Sequence, residues 1–438
     1  MLLTQKIRIW PSLEQEQVLW DLSEKCRLLY NFALQERKQD WIAKKNLERK
    51  ERHYLTYQQQ SKILPIIKQK YPEYRWVYSK VLQQVLKKLD ENFKSFFIQI
   101  EKGEKNAHPP RFKGKKYFFT LCYNQSGFKI DKRVLYFSHK HPSNINLNFI
   151  IPSFYEGFDK IKQVEIKQEK DNKWFICIVF ELEAPTYKDN GLYQAIDLGV
   201  INLVSAVNLS FKFIQVKNSR SDLYWNNIMK EIQSKRDHCK RGSHRWIFYN
   251  RKLLKIKKKC KNQMQDYQHK ISNKIIKNTR ANTIIIGDLD VKKMVKKQNE
   301  IGNRQNNKAR KTLNHSIQNT GSLGRFSQFL TYKAKKIGKR VIRIDESYTS
   351  QQCCICGKRT KRALSERVIK CDCGNHMDRD LNSAVNILER FLKQKHQFDF
   401  LSQQPSMAEE SFLKRLDLLR NTAPSLEIIG DGGLVVSE

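Results

Sequence analysis

Two close pairs of cysteines stand shortly before a short acidic segment in the last quarter of the chain. Cys353 and Cys356 form the first pair, and Cys371 and Cys373 form the second. The segment Asp378-Arg-Asp-Leu-Asn follows at once. Four thiolates at this spacing can complete a tetrahedral shell around Zn²⁺ and leave no position open to water, so the ion would be structural. A zinc knuckle joined to an acidic helix start predicts a metal-dependent nuclease that acts on nucleic acid.

The ligand set of this knuckle has alternatives. A single residue separates Cys371 from Cys373, whereas the usual gap is two residues. Cys354 or His376 could therefore replace one of the four thiolates. Free cytosolic thiols are the simpler interpretation, but a tight second pair rarely occurs without a shared ligand.

The charge of the chain indicates a polyanionic partner. Its 438 residues include 83 Lys and Arg against 44 Asp and Glu, a formal net charge of +39. Such a field opposes compaction unless phosphates neutralise it, so we expect nucleic acid. There is no apolar run near 18 residues, and the first residues lead directly into a strand pattern, so we expect neither membrane insertion nor secretion. The clustered cysteines favour a reducing cytoplasm.

The patterns along the chain predict three kinds of structure. A capping box of Ser12 and Gln15 predicts a helix start, and helical, highly charged sequence continues to about residue 105. Alternating strands then predict a small antiparallel barrel or sandwich up to about residue 190. From there, apolar strands end in polar or acidic residues, at Asp197, at Gly287-Asp288 and at Asp345-Glu346. Strands and crossovers of this kind predict an α/β domain of the ribonuclease H type, with acids converging on two divalent ions.

Four motifs in the same order give the chain a resemblance to a known family. They are the turn after Asp197, residues 287–294, residues 349–357 and residues 378–384. Together they resemble the TnpB family, the transposon-encoded OrfB-type proteins ancestral to type V CRISPR effectors, from about residue 4 to 392. The resemblance implies an RNA-guided DNA endonuclease in which a guide RNA pairs with one strand of double-stranded target DNA and a single RuvC-like site cuts it. Two Mg²⁺ ions and one structural Zn²⁺ are the implied cofactors.

The resemblance also implies the catalytic acids. Asp197 matches the first carboxylate and Asp380 the last, while Asp378 is expected to cap the helix. Most relatives have a glutamate where this chain has Gly287. Asp288 is one substitute, although it should point to the opposite face of its strand; a nuclease-dead repressor is another interpretation. We favour Glu346, because it follows the strand expected beside Gly287.

These features give a multidomain α+β fold with a domain for each activity. We expect a β-barrel wedge domain, a helical recognition lobe, a RuvC-like nuclease domain of the ribonuclease H type, an inserted zinc knuckle that binds the target, and an acidic tail. The tail has seven acidic and three basic residues and should be flexible, with one amphipathic helix near 408–420. The predicted bounds are 1–12 with 106–190, 13–105, 191–352 with 374–395, 353–373, and 396–438, in that order.

Three functions therefore remain open at this stage. The first is the transposon-encoded RNA-guided DNA endonuclease, and the second is a type V CRISPR effector with the same chemistry. The third is the repressor that binds guide and target without cutting. A conventional DNA transposase is a further alternative, but no tyrosine motif or separate acid triad of that kind stands out.

Overall fold

A computed structural model describes most of the chain, which divides into two units, residues 1–183 and 184–438. The polar, Gly- and Asn-rich segment 298–322, which its composition predicts to be a mobile lid, and most of the motif at 287–294 lie outside the described residues. In the part of the chain that is described, no helix is long and apolar enough to cross a membrane. The described residues are 1–48, 51, 54–104, 106–124, 126–151, 160–169, 171–288, 323–363, 366–398 and 406–421.

The first unit begins with a strand and a long helix. The helix α1 starts at Leu13 because the Ser12 side chain accepts a hydrogen bond from the Gln15 amide at 3.2 Å, and the Gln15 side chain accepts one from the Ser12 amide at 3.1 Å. This reciprocal pair confirms the predicted capping box. The apolar face of α1 packs on α4, with α2, α3 and a 3₁₀ turn between them in the chain. The bounds are β1 Leu2–Ile9, α1 Leu13–Lys44, α2 Tyr57–Lys62, α3 Leu64–Lys70, the turn Pro72–Trp76 and α4 Ser79–Glu101.

The strands of the first unit are antiparallel and form two separate sheets. One has the order β1-β7-β6-β2 and the other β3-β4-β5, and both contribute to the core with α1 and α4. The described strands therefore do not close into the predicted barrel, because no ladder joins the two sheets. Phe119 and Tyr123 are buried in this core rather than free to stack on bases. The bounds are β2 Leu121–Asn124, β3 Phe128–Asp131, β4 Val134–Phe137, β5 Leu147–Ile150, β6 Ile161–Gln168 and β7 Trp174–Glu181.

The second unit is built on a mixed five-stranded sheet of order β10-β9-β8-β11-β12. Strand β8 pairs antiparallel with β9 and parallel with β11, and β11 pairs parallel with β12. The carboxyl ends of β8, β11 and β12 consequently lie at one edge of the sheet. The bounds are β8 Tyr193–Asp197, β9 Asn202–Asn208, β10 Phe213–Lys217, α5 Ser221–Asp237, α6 His244–Asn278, β11 Thr283–Gly287, α7 Leu323–Lys336, β12 Arg340–Ile344, β13 Val368–Lys370, β14 His376–Asp378, α8 Arg379–Phe398 and α9 Met407–Asn421.

Helices cover both faces of this sheet, and the alternation of side chains along β11 shows how. Ile285 packs on the face that carries α8, whereas Ile284 and Ile286 pack on the face that carries α6 and α7. Strand β8 alternates in the same way, with Tyr193 and Ala195 on the α8 face. Because successive side chains point to opposite faces, residues 197 and 287 belong to the α8 face and residue 288 to the other.

The segment after residue 396 is partly docked. Its predicted helix is present as α9, but the prediction of a flexible tail is wrong for residues 407–418. Phe412 is buried and stacks on Phe211 at 4.5 Å, and the Lys395 ammonium lies 2.9 Å from the buried Glu409 carboxylate. The packing of Phe412 and the ion pair of Glu409 hold α9 against the α8 face. The net acidic charge of the segment did not indicate this docking.

Candidate functional site

Three carboxylates meet at the edge where the parallel strands end. Asp197 is the last residue of β8, Glu346 follows β12 by two residues, and Asp380 lies in the first turn of α8. Each is supplied by a different element, but α8 lies across β8 and so brings its first turn to this edge. The crevice outside the carboxyl ends of parallel strands is the usual place for a site in such sheets.

The pKa shifts of these acids indicate that their carboxyl groups lie close to one another. Removal from water, followed by the negative charges of Glu346 and Asp380, raises the pKa of Asp197 well above its usual range. Removal from water also raises the pKa of Glu346 to about 7, with smaller contributions from Asp288 and Asp345. Carboxyls that repel one another at a partly closed site are stabilised by a nearby cation.

Gly287 leaves room for the Glu346 side chain. A Cβ atom built on Gly287 would lie 2.7 Å from the Glu346 carboxyl carbon and 2.9 Å from its Cβ, and it would collide with Oε2. Gly287 has no left-handed backbone angle, so the need for glycine is one of space. Strands β11 and β12 are paired in parallel with Gly287 opposite Ile344, which brings Glu346 over this position.

Asp288 does not join the cluster. Its side chain is exposed and lies 3.9 Å from the Arg343 guanidinium, while its backbone amide donates to the Ile344 carbonyl at 2.7 Å. The Asp288 side chain therefore points away from the α8 face, as the alternation along β11 requires. Of the two residues considered as substitutes for the missing strand-end acid, the structure brings Glu346 and not Asp288 toward Asp197.

Asp378 and Asp380 have different surroundings. Asp378 Oδ1 accepts hydrogen bonds from the amides of Asp380 at 2.9 Å and Leu381 at 3.2 Å, which is the geometry of a helix cap. It also accepts one from the Gln215 side chain at 3.0 Å. The Asp380 carboxylate instead accepts a hydrogen bond from the Asn202 side chain at 3.1 Å, and it lies close enough to Asp197 to raise the pKa of that acid.

The donor set suits divalent cations. Oε2 of Glu346 is buried and has no hydrogen-bond partner among the described residues, so it is an acceptor without a donor. Hard oxygen ligands of this kind are what Mg²⁺ prefers. Among the described residues, the group of possible metal ligands whose atoms lie within 4.8 Å of one another is the cysteine cluster and not the three carboxylates.

The four predicted cysteines converge on one point. Their Sγ atoms all lie within 4.8 Å of one another, with Cys353 and Cys373 at 3.6 Å and Cys356 and Cys371 at 3.5 Å. Tetrahedral thiolates at a Zn–S distance of about 2.3 Å would be about 3.8 Å apart. The geometry of the donors therefore fits a four-thiolate zinc site.

The two alternative ligands lie elsewhere. The Cys354 sulfur is buried against Met377 Sδ at 3.5 Å, and burial raises the pKa of this thiol far above that of the free amino acid. His376 is exposed on β14 and is not part of the cluster. Although only one residue separates Cys371 from Cys373, both of their sulfurs belong to the cluster. Gly374 turns the chain directly after this pair with a φ of 86°.

A group of buried asparagines, which no sequence pattern had indicated, joins the cysteine cluster to α8. The Asn375 side chain donates to Cys353 Sγ at 3.2 Å and to the Asn382 side-chain oxygen at 3.3 Å. The Asn382 oxygen also accepts from the Cys354 amide at 2.8 Å, and Asn386 donates to the carbonyls of Thr349 and Gln352, each at 2.8 Å. Asn382 is part of the acidic motif at 378–382, and this position was the available sequence signal for its role.

The first unit has a polar cleft of its own. The cleft has a volume of about 480 Å³, and lysines and side-chain amides line it. Such a lining offers ammonium groups to phosphates and amides to the edges of bases. The lining residues are Lys80, Gln84, Lys87, Asn124, Lys162 and Gln163.

Comparison with known protein families gives three matches along the chain. Residues 1–46 match the family described as "Helix-turn-helix domain" of the OrfB_IS605 type, and residues 164–298 match "Probable transposase" of the same type. Residues 324–387 match "Cas12f1-like, TNB domain", which covers both the cysteine cluster and the start of α8.

Several curated proteins are similar to the chain over most of its length. The "Putative RNA-guided DNA endonuclease" of Streptomyces pristinaespiralis is 26% identical over 87% of this chain and 88% of its own. The "Putative RNA-guided DNA endonuclease InsQ" of Escherichia coli K12 is 27% identical over 87% and 90%. The "CRISPR-associated endodeoxyribonuclease Cas12f1" of Sulfoacidibacillus thermotolerans is 26% identical over 51% of each chain.

A solved structure supports the fold. The chain in the cryo-EM structure of a Cas12f1–sgRNA–target DNA complex aligns with a TM-score of 0.53 at 12% identity, over 88% of this chain and 98% of that one. At this identity the likeness concerns the fold, which is a mixed α/β multidomain architecture.

Proposed function

The chain belongs to the TnpB family, and from that premise we propose that it is a transposon-encoded RNA-guided DNA endonuclease. Its partners would be a guide RNA and double-stranded target DNA. The observation that carries the proposal is the meeting of Asp197, Glu346 and Asp380 at one edge of the sheet. The strand order of the second unit, with two parallel pairs beside an antiparallel hairpin, supports a RuvC-like domain of the ribonuclease H type.

The roles of the residues follow from their surroundings. Asp197, Glu346 and Asp380 would hold two Mg²⁺ ions, which when bound activate a water molecule and stabilise the leaving oxygen during phosphodiester hydrolysis. Asn202 orients the Asp380 carboxylate, and Asp378 fixes the first turn of α8 by capping it. Asp288 takes no part.

The cysteine cluster would hold one structural Zn²⁺ and so stabilise the segment between β12 and α8. The buried asparagines tie that segment to the start of α8, where Asp380 lies. The polar cleft of the first unit and the positive charge of the chain would bind phosphates and, through side-chain amides, base edges. Repression without cleavage would be expected of a chain lacking one carboxylate, whereas here Glu346 supplies a third one.

Guidance and chemistry need separate experiments. RNA that copurifies with the protein should be sequenced, and a discrete structured RNA with a variable end is expected. Random fragments alone would refute guidance.

Cleavage of a matched plasmid should then be measured for the acid variants. Glu346→Gln, Asp197→Ala and Asp380→Ala should each abolish cutting while target binding persists, since size or fold is kept but a metal-binding charge is lost. Asp288→Asn is the matched control and should cut normally. Loss of cutting in Asp288→Asn would transfer the role to Asp288. Failure of the unmutated protein to cut, with guide and Mg²⁺ present and target bound, would favour the repressor.

A further inference from the structure

Two buried hydroxyl groups lie between the elements that carry the acids. Ser383 is on α8, three residues after Asp380, and its hydroxyl lies beside the Asp197 carboxyl, where it counters the rise in the pKa of that acid. The hydroxyl oxygens of Ser383 and Thr349 are 2.8 Å apart, and Thr349 Oγ1 lies 2.9 Å from the Glu346 carbonyl. Both residues are at most 3% exposed. The chain of contacts thus runs from β8 through α8 to the turn after β12.

Counting hydrogens gives this chain a direction. Each hydroxyl has one hydrogen to donate. Thr349 Oγ1 donates its hydrogen to the Glu346 carbonyl, so Ser383 is the donor in the contact between the two hydroxyls. The Thr349 backbone amide donates to the same carbonyl at 3.1 Å. Both buried hydroxyls therefore have hydrogen-bond partners, and they tie α8 to the turn that carries Glu346.

Thr349 is itself fixed from the other side. Its carbonyl accepts a hydrogen bond from the Asn386 side chain at 2.8 Å and a longer one from Asn382 at 3.4 Å. Both donors are on α8, so the turn that carries Glu346 is attached to the helix that carries Asp380. Glu346 has no such support at its carboxylate, since Oε2 has no partner among the described residues. Its position depends on the backbone of the turn.

We propose that Ser383 and Thr349 are positioning residues that set the spacing of Asp197 and Glu346 relative to Asp380. Both hydroxyls are buried, so they act through the groups that they contact, which are the Asp197 carboxyl for Ser383 and the Glu346 backbone carbonyl for Thr349. The proposal rests on the proposed function of the acid cluster. Groups that orient metal ligands typically change metal affinity or activity by about 10–100-fold when they are removed.

The test compares Ser383→Ala and Thr349→Val with two controls. Thr349→Ser keeps the hydroxyl and should restore most of what Thr349→Val loses. Ser327→Ala removes a buried helical serine hydroxyl that has no hydrogen-bond partner among the described residues, and it should leave every readout unchanged. The readouts are guide-dependent cleavage against Mg²⁺ concentration, Mn²⁺ affinity of the full chain by electron paramagnetic resonance, target binding and thermal unfolding.

We expect Ser383→Ala and Thr349→Val to lower the cleavage rate by about 10–100-fold, to weaken Mn²⁺ binding similarly, and to leave target binding unchanged. Unchanged cleavage and Mn²⁺ affinity would overturn the proposal. The proposal would also be overturned, in favour of a packing role, if the variants lost target binding or cooperative thermal unfolding to the same extent as cleavage and Thr349→Ser restored none of them. If the unmutated protein does not cut but the variants still bind Mn²⁺ more weakly than it does, the proposed function fails and the positioning role stands.

Discussion

Replacing Gly287 by alanine should disable the site without removing any carboxylate. The added methyl group would lie 2.7 Å from the Glu346 carboxyl carbon and would collide with Oε2. The backbone of β11 accepts alanine, because Gly287 is not in the left-handed region. Strand β11 is paired on both sides, with β8 and β12, so it cannot easily retreat. The Glu346 side chain must move instead.

The size of the effect follows from the displacement. Carbon atoms in ordinary van der Waals contact are about 3.5 Å apart. The Glu346 carboxyl carbon must therefore withdraw by about 0.8 Å, and Oε2 by more than that. A misplacement of about 1 Å at a reacting centre can cost about 100-fold in rate. We therefore expect Gly287→Ala to lower guide-dependent cleavage by at least about 100-fold, with a cost in unfolding free energy of about 1–3 kcal/mol from overpacking.

The assay is a single-turnover cleavage time course with saturating protein, guide and Mg²⁺, together with target binding measured separately. Gly324→Ala is the matched control, because a Cβ at Gly324 meets no atom within 4 Å, and it should cut normally. Glu346→Gly removes the atoms that a Cβ at Gly287 would meet, so adding Gly287→Ala in that background should have no further effect on rate or stability. Normal cutting by Gly287→Ala would refute the placement of Glu346 over this glycine.

Three other predictions concern the zinc site, the docked helix and the charge. Replacing Cys353 and Cys356 with serine should lower bound zinc from about one equivalent to near none and reduce thermal stability, whereas Cys239→Ser, outside the cluster, should keep the metal; full zinc content in the double variant would show that other ligands hold it. Phe412→Ala should lower the free energy of unfolding by about 3–5 kcal/mol in urea titrations, and the exposed Phe248→Ala should change it little; equal midpoints would mean that α9 does not pack in solution. Affinity for guide or target should fall by at least about 1,000-fold between about 50 and 200 mM salt, as counterion release from several phosphates requires, and a flat response would contradict the role given to the net charge.

Local patterns in the sequence predicted much of the second unit. Apolar runs along β8 and β11 that end in polar or acidic residues predicted strands of an α/β domain with a polar edge. The same period of two predicted that Asp288 would leave the α8 face, and the structure confirms it with the pair to Arg343. Likewise, the spacing of the cysteines identified the four thiolates that converge. In each of these cases the information lies within one short segment of the chain, because the pleat of a strand and the turns of a knuckle are local geometry.

The sequence by itself determined which residue types stand at the ends of the strands, and only the tertiary structure decided which of them meet. Asn202 reaches Asp380 across 178 residues, and Glu346 occupies the space that Gly287 leaves, because β11 and β12 pair in one register. The hydroxyls of Ser383 and Thr349 and the docking of α9 were invisible for the same reason. Contacts between distant segments depend on how layers pack and on which volumes remain free, and neither quantity has a local period that a sequence pattern could display.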